Sequence, residues 1–252
     1  PSLYQSIPFL IQHGKPFSTG VFFDNASRVS FDVEKKKKGV IAIDYEQGGI
    51  DILFFFGKID EVIAEYTLFS GRDKLPPYWA LGNQQSRWSY GRKEDVEEVI
   101  EGYGNADIPL SVVYLDIDYM DGYKDFTVSK ERYPDIPSWL KRIHAKGIRI
   151  VPIIDAGVKA EEGYFLYDEG VQEGHFSTLN GEIYHNEVWP GDSVFPSFLD
   201  PNTRLWWAEN CAKFLRIGFD GIWNDMNEPA SFKGPLPLDV DMGGCPHSHA
   251  HN

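Results

Sequence analysis

From Tyr78 onward the hydrophobic pattern alternates between short apolar runs and amphipathic stretches of helical period. Residues 80–84, 111–115, 148–154 and 219–223 read as strands, and residues 93–104, 137–146 and 202–217 as helices, with Gly147 stopping the second helix. Strands alternating with helices specify a parallel sheet, because each crossover returns the chain to the same end. The natural closed form is a (β/α)8 TIM barrel, which typically takes about 250 residues and eight strands. Here only about 175 residues follow position 77, and they supply four strands. Four parallel strands alone leave raw edges and an uncovered inner face. Residues 73–252 are therefore expected to form the first four β/α units of an incomplete barrel. Its C-terminal half is then supplied by another chain, lost to proteolysis or deleted.

The first part of the chain follows a different period. Residues 7–11, 20–24, 28–33, 40–44 and 50–56 alternate and are separated by turn residues, as antiparallel strands are. Ile59, Val62, Ile63, Tyr66 and Phe69 then recur at helical spacing. Residues 1–72 are accordingly read as the C-terminal part of an antiparallel β-sandwich domain plus a linker helix, with residues 72–77 as the connection. The run Lys35-Lys36-Lys37-Lys38 before Gly39 reads as a solvated hairpin tip.

Charge and cysteine content narrow the function classes. A formal charge of −14 repels phosphates and argues against nucleic acid. No run of eighteen apolar residues exists to span a membrane. Two cysteines make no disulfide framework, and Cys211 falls in an apolar helical pattern as a buried small hydrophobe would. A reducing, cytoplasmic location is the expectation, although the chain starts at Pro1-Ser2 without a Met, so the missing leader is uninformative. Seven Trp and thirteen Tyr supply more flat apolar faces than packing demands, which favours a carbohydrate ligand. His247, His249 and His251 lack a completing carboxylate and read as a loop rather than a Zn²⁺ site.

Two carboxylates, Asp225 and Glu228, stand three positions apart where the last apolar run ends. At the C-terminal mouth of a parallel strand this is where barrel chemistry is done. Trp223, Met226 and flanking Asn residues add apolar and hydrogen-bonding walls of the kind that hold a sugar ring under carboxylate attack. The plain alternative for Asp225 is a cap on the following turn. Glu228 is placed to orient Asp225 or nearby backbone, as a supporting residue. Asp116 follows the second strand and suits a grip on sugar hydroxyls. Asp118 and Asp121 read as turn or network acids. Together the three also have the look of a divalent-metal cluster, but the glycine and ligand spacing of an EF-hand loop is absent. Trp88, Trp189 and Trp223 follow or end strands, where each can wall a small pocket. Arg87 is expected to pair with a carboxylate in the barrel mouth, and Asp155 to be structural.

Four ordered segments carry a family resemblance: Arg87-Trp88-Ser89-Tyr90, Asp116-Ile117-Asp118-Tyr119-Met120-Asp121, Val188-Trp189-Pro190-Gly191 and Trp223-Asn224-Asp225-Met226-Asn227-Glu228-Pro229. Across about residues 75–232 the chain resembles glycoside hydrolase family 31, the α-glucosidases, α-xylosidases and sucrase–isomaltase-like enzymes. The resemblance implies a retaining glycoside hydrolase that releases α-linked glucose from the non-reducing end of short α-glucosides. It places the nucleophile at Asp225, the non-reducing-end hydroxyls at Asp116 with Ile117 against the ring, and an apolar pocket wall at Ile153. The family's proton donor lies on a later segment, beyond residue 252, so the isolated chain is expected to be inactive. α-Xylosidase or transglucosidase activity, or a catalytically silent carbohydrate-binding subunit, are the alternatives on this scaffold. The implied partner is an oligosaccharide or small α-glucoside, with no cofactor and no metal, and homo-oligomerisation is left open.

Overall fold

The computed structural model describes residues 7–25, 27–46 and 48–250, which divide into two compact units at Leu75/Pro76. In the first unit, β1 (Phe9–Gln12), β2 (Ser18–Asp24), β3 (Val29–Val33), β4 (Ile41–Tyr45) and β5 (Asp51–Gly57) precede helix α1 (Ile59–Ser70). The strands form two antiparallel sheets, β1-β2-β5 and the β3-β4 hairpin. Alternation puts one face of the larger sheet against α1, where Tyr66 stacks on Phe9 at 4.0 Å and meets Phe55 edge-on at 5.8 Å. Gly20 permits this contact, since a Cβ there would lie 2.7 Å from Val62. The Glu61 carboxylate accepts from the Lys58 backbone N–H at 2.8 Å and so satisfies a donor at the helix start. The four-lysine run is exposed and lies within the β3–β4 connection, where the Lys35 and Lys36 backbone N–H groups donate to Asp32.

The second unit is a curled, parallel half-barrel. β6 (Gln84–Gln85), α2 (Lys93–Asn105), β7 (Val112–Leu115), α3 (Ile136–Ala145) and β8 (Arg149–Asp155) follow in order. An insertion comprises β9 (Val158–Lys159), α4 (Phe165–Glu173), β10 (Thr178–Leu179), β11 (Glu182–Ile183), β12 (His185–Val188) and β13 (Gly191–Val194). Then come α5 (Pro201–Leu215) and β14 (Trp223–Asp225). A short turn, α6 (His247–Ala250), follows, and of it His247 belongs to this unit. The four barrel strands pair in parallel in the order β14-β8-β7-β6. Val113, Leu115 and Ile150 meet Trp139, Leu140 and Ile143 of α3 in one buried cluster that continues to Trp206, Trp207 and Phe214 of α5. Trp139 is fully buried, and its indole N–H donates to Glu97 at 2.8 Å, which satisfies its only polar atom.

Several expectations from the sequence need correction. Residues 78–81 form a 3₁₀ turn after Pro76-Pro77, and the first barrel strand is Gln84–Gln85 rather than 80–84. Pairing starts only where Ser111 N–H reaches the Asn83 carbonyl, just beyond Gly82, whose missing Cβ leaves room for the Ser111 side chain. The last strand begins at Trp223 rather than at 219. Before it, the Asp220 carboxylate accepts from Ile150 N–H at 2.9 Å, His144 Nε2 at 2.7 Å and Arg149 at 3.2 Å, so a side chain takes a donor that a strand partner would have used. Residues 158–194, for which the sequence reading gives no element, form an ordered insertion, with β12-β13-β9 as a small antiparallel sheet and β10-β11 as a hairpin. Cys211 is half-buried beside the core rather than enclosed in it. His247 and His249 lie in the short final turn, and no metal-binding group of His, Cys, Asp or Glu occurs among the described residues; His251 lies outside them.

Asp220 thus ties α3, β8 and the approach to β14. Asp220→Ala would leave Arg149 and the Ile150 N–H without their acceptor, at a cost of about 3 kcal/mol. Urea unfolding of the full-length protein should show a lowered midpoint of that size, whereas an unchanged midpoint would mean that the network carries no stability.

Candidate active site

The site is built by the register of the parallel ladder. Trp223 pairs with Ile153 and Asp225 with Asp155, while Leu115 pairs with Pro152, which puts Asp116 one step further at the same edge. Neighbouring strands lie about 4.8 Å apart, and paired residues of a parallel ladder share a face. Asp225 and Asp155 are therefore side by side at the C-terminal end of the sheet, with Asp116 across the next strand. Tyr114 supports this edge from below: its O–H donates to Gln84 at 2.5 Å, and its ring meets Trp223 edge-on at 6.1 Å.

Burial and like charges set the electrostatics. The Asp116 Oδ1 accepts from the Ile117 N–H at 2.8 Å. Partial burial nevertheless raises its pKa; that hydrogen bond opposes the rise, and the charges of Asp118 and Asp225 add to it. Asp155 is pushed up to about 7, first by burial and then by Asp225 and Asp116. Beneath it Asp125 is only 1% exposed, and burial and the neighbouring Asp155 raise its pKa. Its Oδ1 accepts from Asp155 N–H at 3.0 Å. Two phenols brace the floor, with Tyr119 O–H donating to the Ile153 carbonyl at 2.7 Å and Tyr164 O–H to the Asp125 carbonyl at 2.8 Å.

After Asp225 the chain turns sharply. Met226 takes a left-handed φ of 59°, an unusual conformation for a side chain of its size, and its carbonyl accepts from Ala230 N–H. The turn is fastened to the insertion, where Phe232 N–H donates to the Glu187 carbonyl and Lys233 Nζ reaches the Glu187 carboxylate at 2.6 Å. The ion pair with Glu187 raises the pKa of Lys233. Phe232 meets Trp189 edge-on at 5.1 Å, and Trp189 lies 5.6 Å from Trp88, which is 70% exposed.

The structure thus brings Asp225, Asp116 and Trp223 to one sheet edge, with Met226 in the turn that follows, and puts Trp88 and Trp189 together in an open aromatic cluster. Ile117 and Ile153 are packed into the barrel wall, 3% and 2% exposed. Glu228 is exposed, and no hydrogen bond joins it to Asp225. Arg87 makes no ion pair among the described residues; its guanidinium lies over the Tyr90 ring at 5.9 Å, and nearby Asp95 is engaged by Arg92. Asp118 does enter a network, with Tyr123 and Arg132. Sequence reasoning missed Asp125 and Phe232 and took Asp155 for a structural residue. The alternation of β8, which places Asp155 on the same face as Ile153, was the available signal for it.

Comparison with known proteins agrees with this architecture. Residues 73–252 match the glycosyl hydrolases family 31 TIM-barrel domain, and residues 1–32 match the glycosyl hydrolase 31 N-terminal galactose mutarotase-like domain. Alpha-glucosidase 2 of Bacillus thermoamyloliquefaciens is 40% identical over 98% of this chain, which spans 32% of that relative. Human neutral alpha-glucosidase AB is 32% identical over all of this chain, which spans 30% of it. The crystal structure of a glucosidase II alpha subunit in its Glc1Man2-bound form superposes with a TM-score of 0.89 at 32% identity, covering 99% of this chain and 29% of that one. A Flavobacterium johnsoniae family 31 dextranase complexed with glucose gives a TM-score of 0.87 at 26% identity, covering 99% of this chain and 31% of that one. The chain thus spans about a third of the length of the curated relatives it matches. By its motifs, its half-barrel and these matches, the chain belongs to glycoside hydrolase family 31.

Proposed function

We propose that the full-length protein is a retaining α-glucosidase that removes terminal α-linked glucose from short glucosides, with Asp225 as nucleophile. The single observation that carries this reading is the position of Asp225, at the last residue of β14 on the C-terminal edge of a parallel half-barrel, with Asp155 beside it and Asp116 at the same edge. Retaining cleavage passes through an oxocarbenium-like state, whose positive charge a cluster of carboxylates stabilises. Asp225 attacks the anomeric carbon as the leaving oxygen takes a proton from an acid outside this chain. The acid residue then removes a proton from water, and the resulting nucleophile releases the sugar with its configuration kept. Asp116 accepts hydrogen bonds from sugar hydroxyls, and its negative charge strengthens them. The exposed Trp88, Trp189 and Phe232 offer flat apolar faces to a pyranose at the mouth of the site. That the compared enzymes are named for α-glucosidase or dextranase activity, and that the dextranase was crystallised with glucose, supports an α-glucan substrate.

Two substitutions in the full-length protein test the assignment. Asp225→Ala should lower kcat on an aryl α-glucoside by on the order of 10⁴-fold or more, as loss of a covalent nucleophile does, with thermal unfolding unchanged; retained turnover would refute the role. Asp116→Asn should lower kcat/KM by about 10- to 100-fold with a raised KM, as expected for losing charged hydrogen bonds. If it alters only thermal stability, Asp116 belongs to the supporting network instead.

A further inference from the structure

Asp155 is an acid that the proposed chemistry does not use, yet it stands closest in the ladder to the nucleophile. It is 5% exposed, and its Oδ1 is buried without a hydrogen-bond partner. A buried carboxylate oxygen left unpaired costs a few kcal/mol. A protonated carboxyl resolves this differently, because it brings a donor of its own. The charges of Asp225 on β14 and Asp116 after β7 favour its protonated form, and Asp125 and Tyr119, in the segment between β7 and α3, are its other titratable neighbours. The nearby cations are engaged elsewhere, Lys124 and Lys159 with Glu161 and Arg132 with Asp118.

We propose that Asp155 keeps its proton while Asp225 is ionised and donates it in a hydrogen bond to the Asp225 carboxylate, as the positioning residue of the nucleophile. This rests on the reading of Asp225 as nucleophile. Two adjacent carboxyls in a shielded site do not both ionise easily, so one takes the proton. Asp125 holds Asp155 by its main chain, through the bond from Asp155 N–H at 3.0 Å, and leaves the side chain free to face β14. A neutral donor of this kind fixes one oxygen of Asp225 and stabilises its charge without introducing a cation. With a pKa of about 7, Asp155 keeps its proton below neutrality and loses it as pH rises, and nucleophile positioning is lost over the same range.

The test compares Asp155→Asn and Asp155→Ala with wild type in the full-length protein, after circular dichroism has shown each to be folded. Asparagine retains a neutral donor at every pH. Asp155→Asn should therefore keep kcat/KM on an aryl α-glucoside within about 3-fold at pH 6 and extend activity to more alkaline pH. Asp155→Ala should lose about 10- to 100-fold, as removal of a hydrogen bond to a charged group does. Equal damage in both variants with an unshifted pH profile would overturn the proposal. A second readout needs no turnover: difference infrared spectra at pH 6 should show a protonated carboxyl band in wild type that Asp155→Asn removes. Absence of that band in wild type would also overturn it. An inactive wild type that still shows the band would count against the α-glucosidase reading alone.

Discussion

The parallel pairing of β14 with β8 is the constraint on which the site depends. It fixes Asp225 beside Asp155 and brings Asp116 to the same edge. Were both ionised at about the strand spacing of 5 Å, at an effective dielectric of about 20, two unit charges would repel by roughly 3 kcal/mol. A loop could relax such a cluster by moving apart. Residues in a ladder cannot, since separation would break the main-chain hydrogen bonds of both strands. The negative charge of the cluster is therefore held in place, and it becomes useful when positive charge develops on a bound sugar. The same repulsion explains why one member of the cluster is inclined to keep a proton.

Holding that geometry is the task of the surrounding packing. Tyr119 and Tyr164 each donate to a backbone carbonyl beneath the acids, so two buried phenols with satisfied hydroxyls fix the floor. Trp139, Leu140 and Ile143 press α3 against the outer face of β7 and β8, and Phe214 stacks on Phe219 just before β14. On the open side, the turn after Asp225 is tied to β12 through Phe232 and Lys233. The insertion between β8 and α5 thus limits movement of the segment that follows the nucleophile.

Much of this was legible in the sequence. The antiparallel strands of the first unit, helices α1, α2, α3 and α5, and strands β7 and β8 have periods long enough to read, and their bounds agree to within a few residues. The short elements were not legible. β6, β9, β10 and β11 have two residues each, fewer than any periodicity needs. The start of β14 was misplaced because Asp220 substitutes a carboxylate for a strand partner, and apolar spacing carries no trace of that. For the site, the position of Asp225 and Asp116 at strand ends was readable, and the parallel ladder brings both to one sheet edge. The pairing of Asp155 with Asp225 was not legible, because it depends on burial and on a neighbour seventy residues away. The surroundings of Arg87 were not legible for a related reason: sequence proximity put it near an acid, but its guanidinium lies over the Tyr90 ring.

Covalent trapping tests the central claim most directly. The full-length protein would be treated with a fluorinated glucosyl fluoride, which lets the glycosyl-enzyme form but slows its hydrolysis, and the labelled peptide would be mapped by mass spectrometry. The predicted result is one added glycosyl group on the Asp225 side chain. A label on any other residue, or none in an enzyme that turns over α-glucosides, would contradict the account.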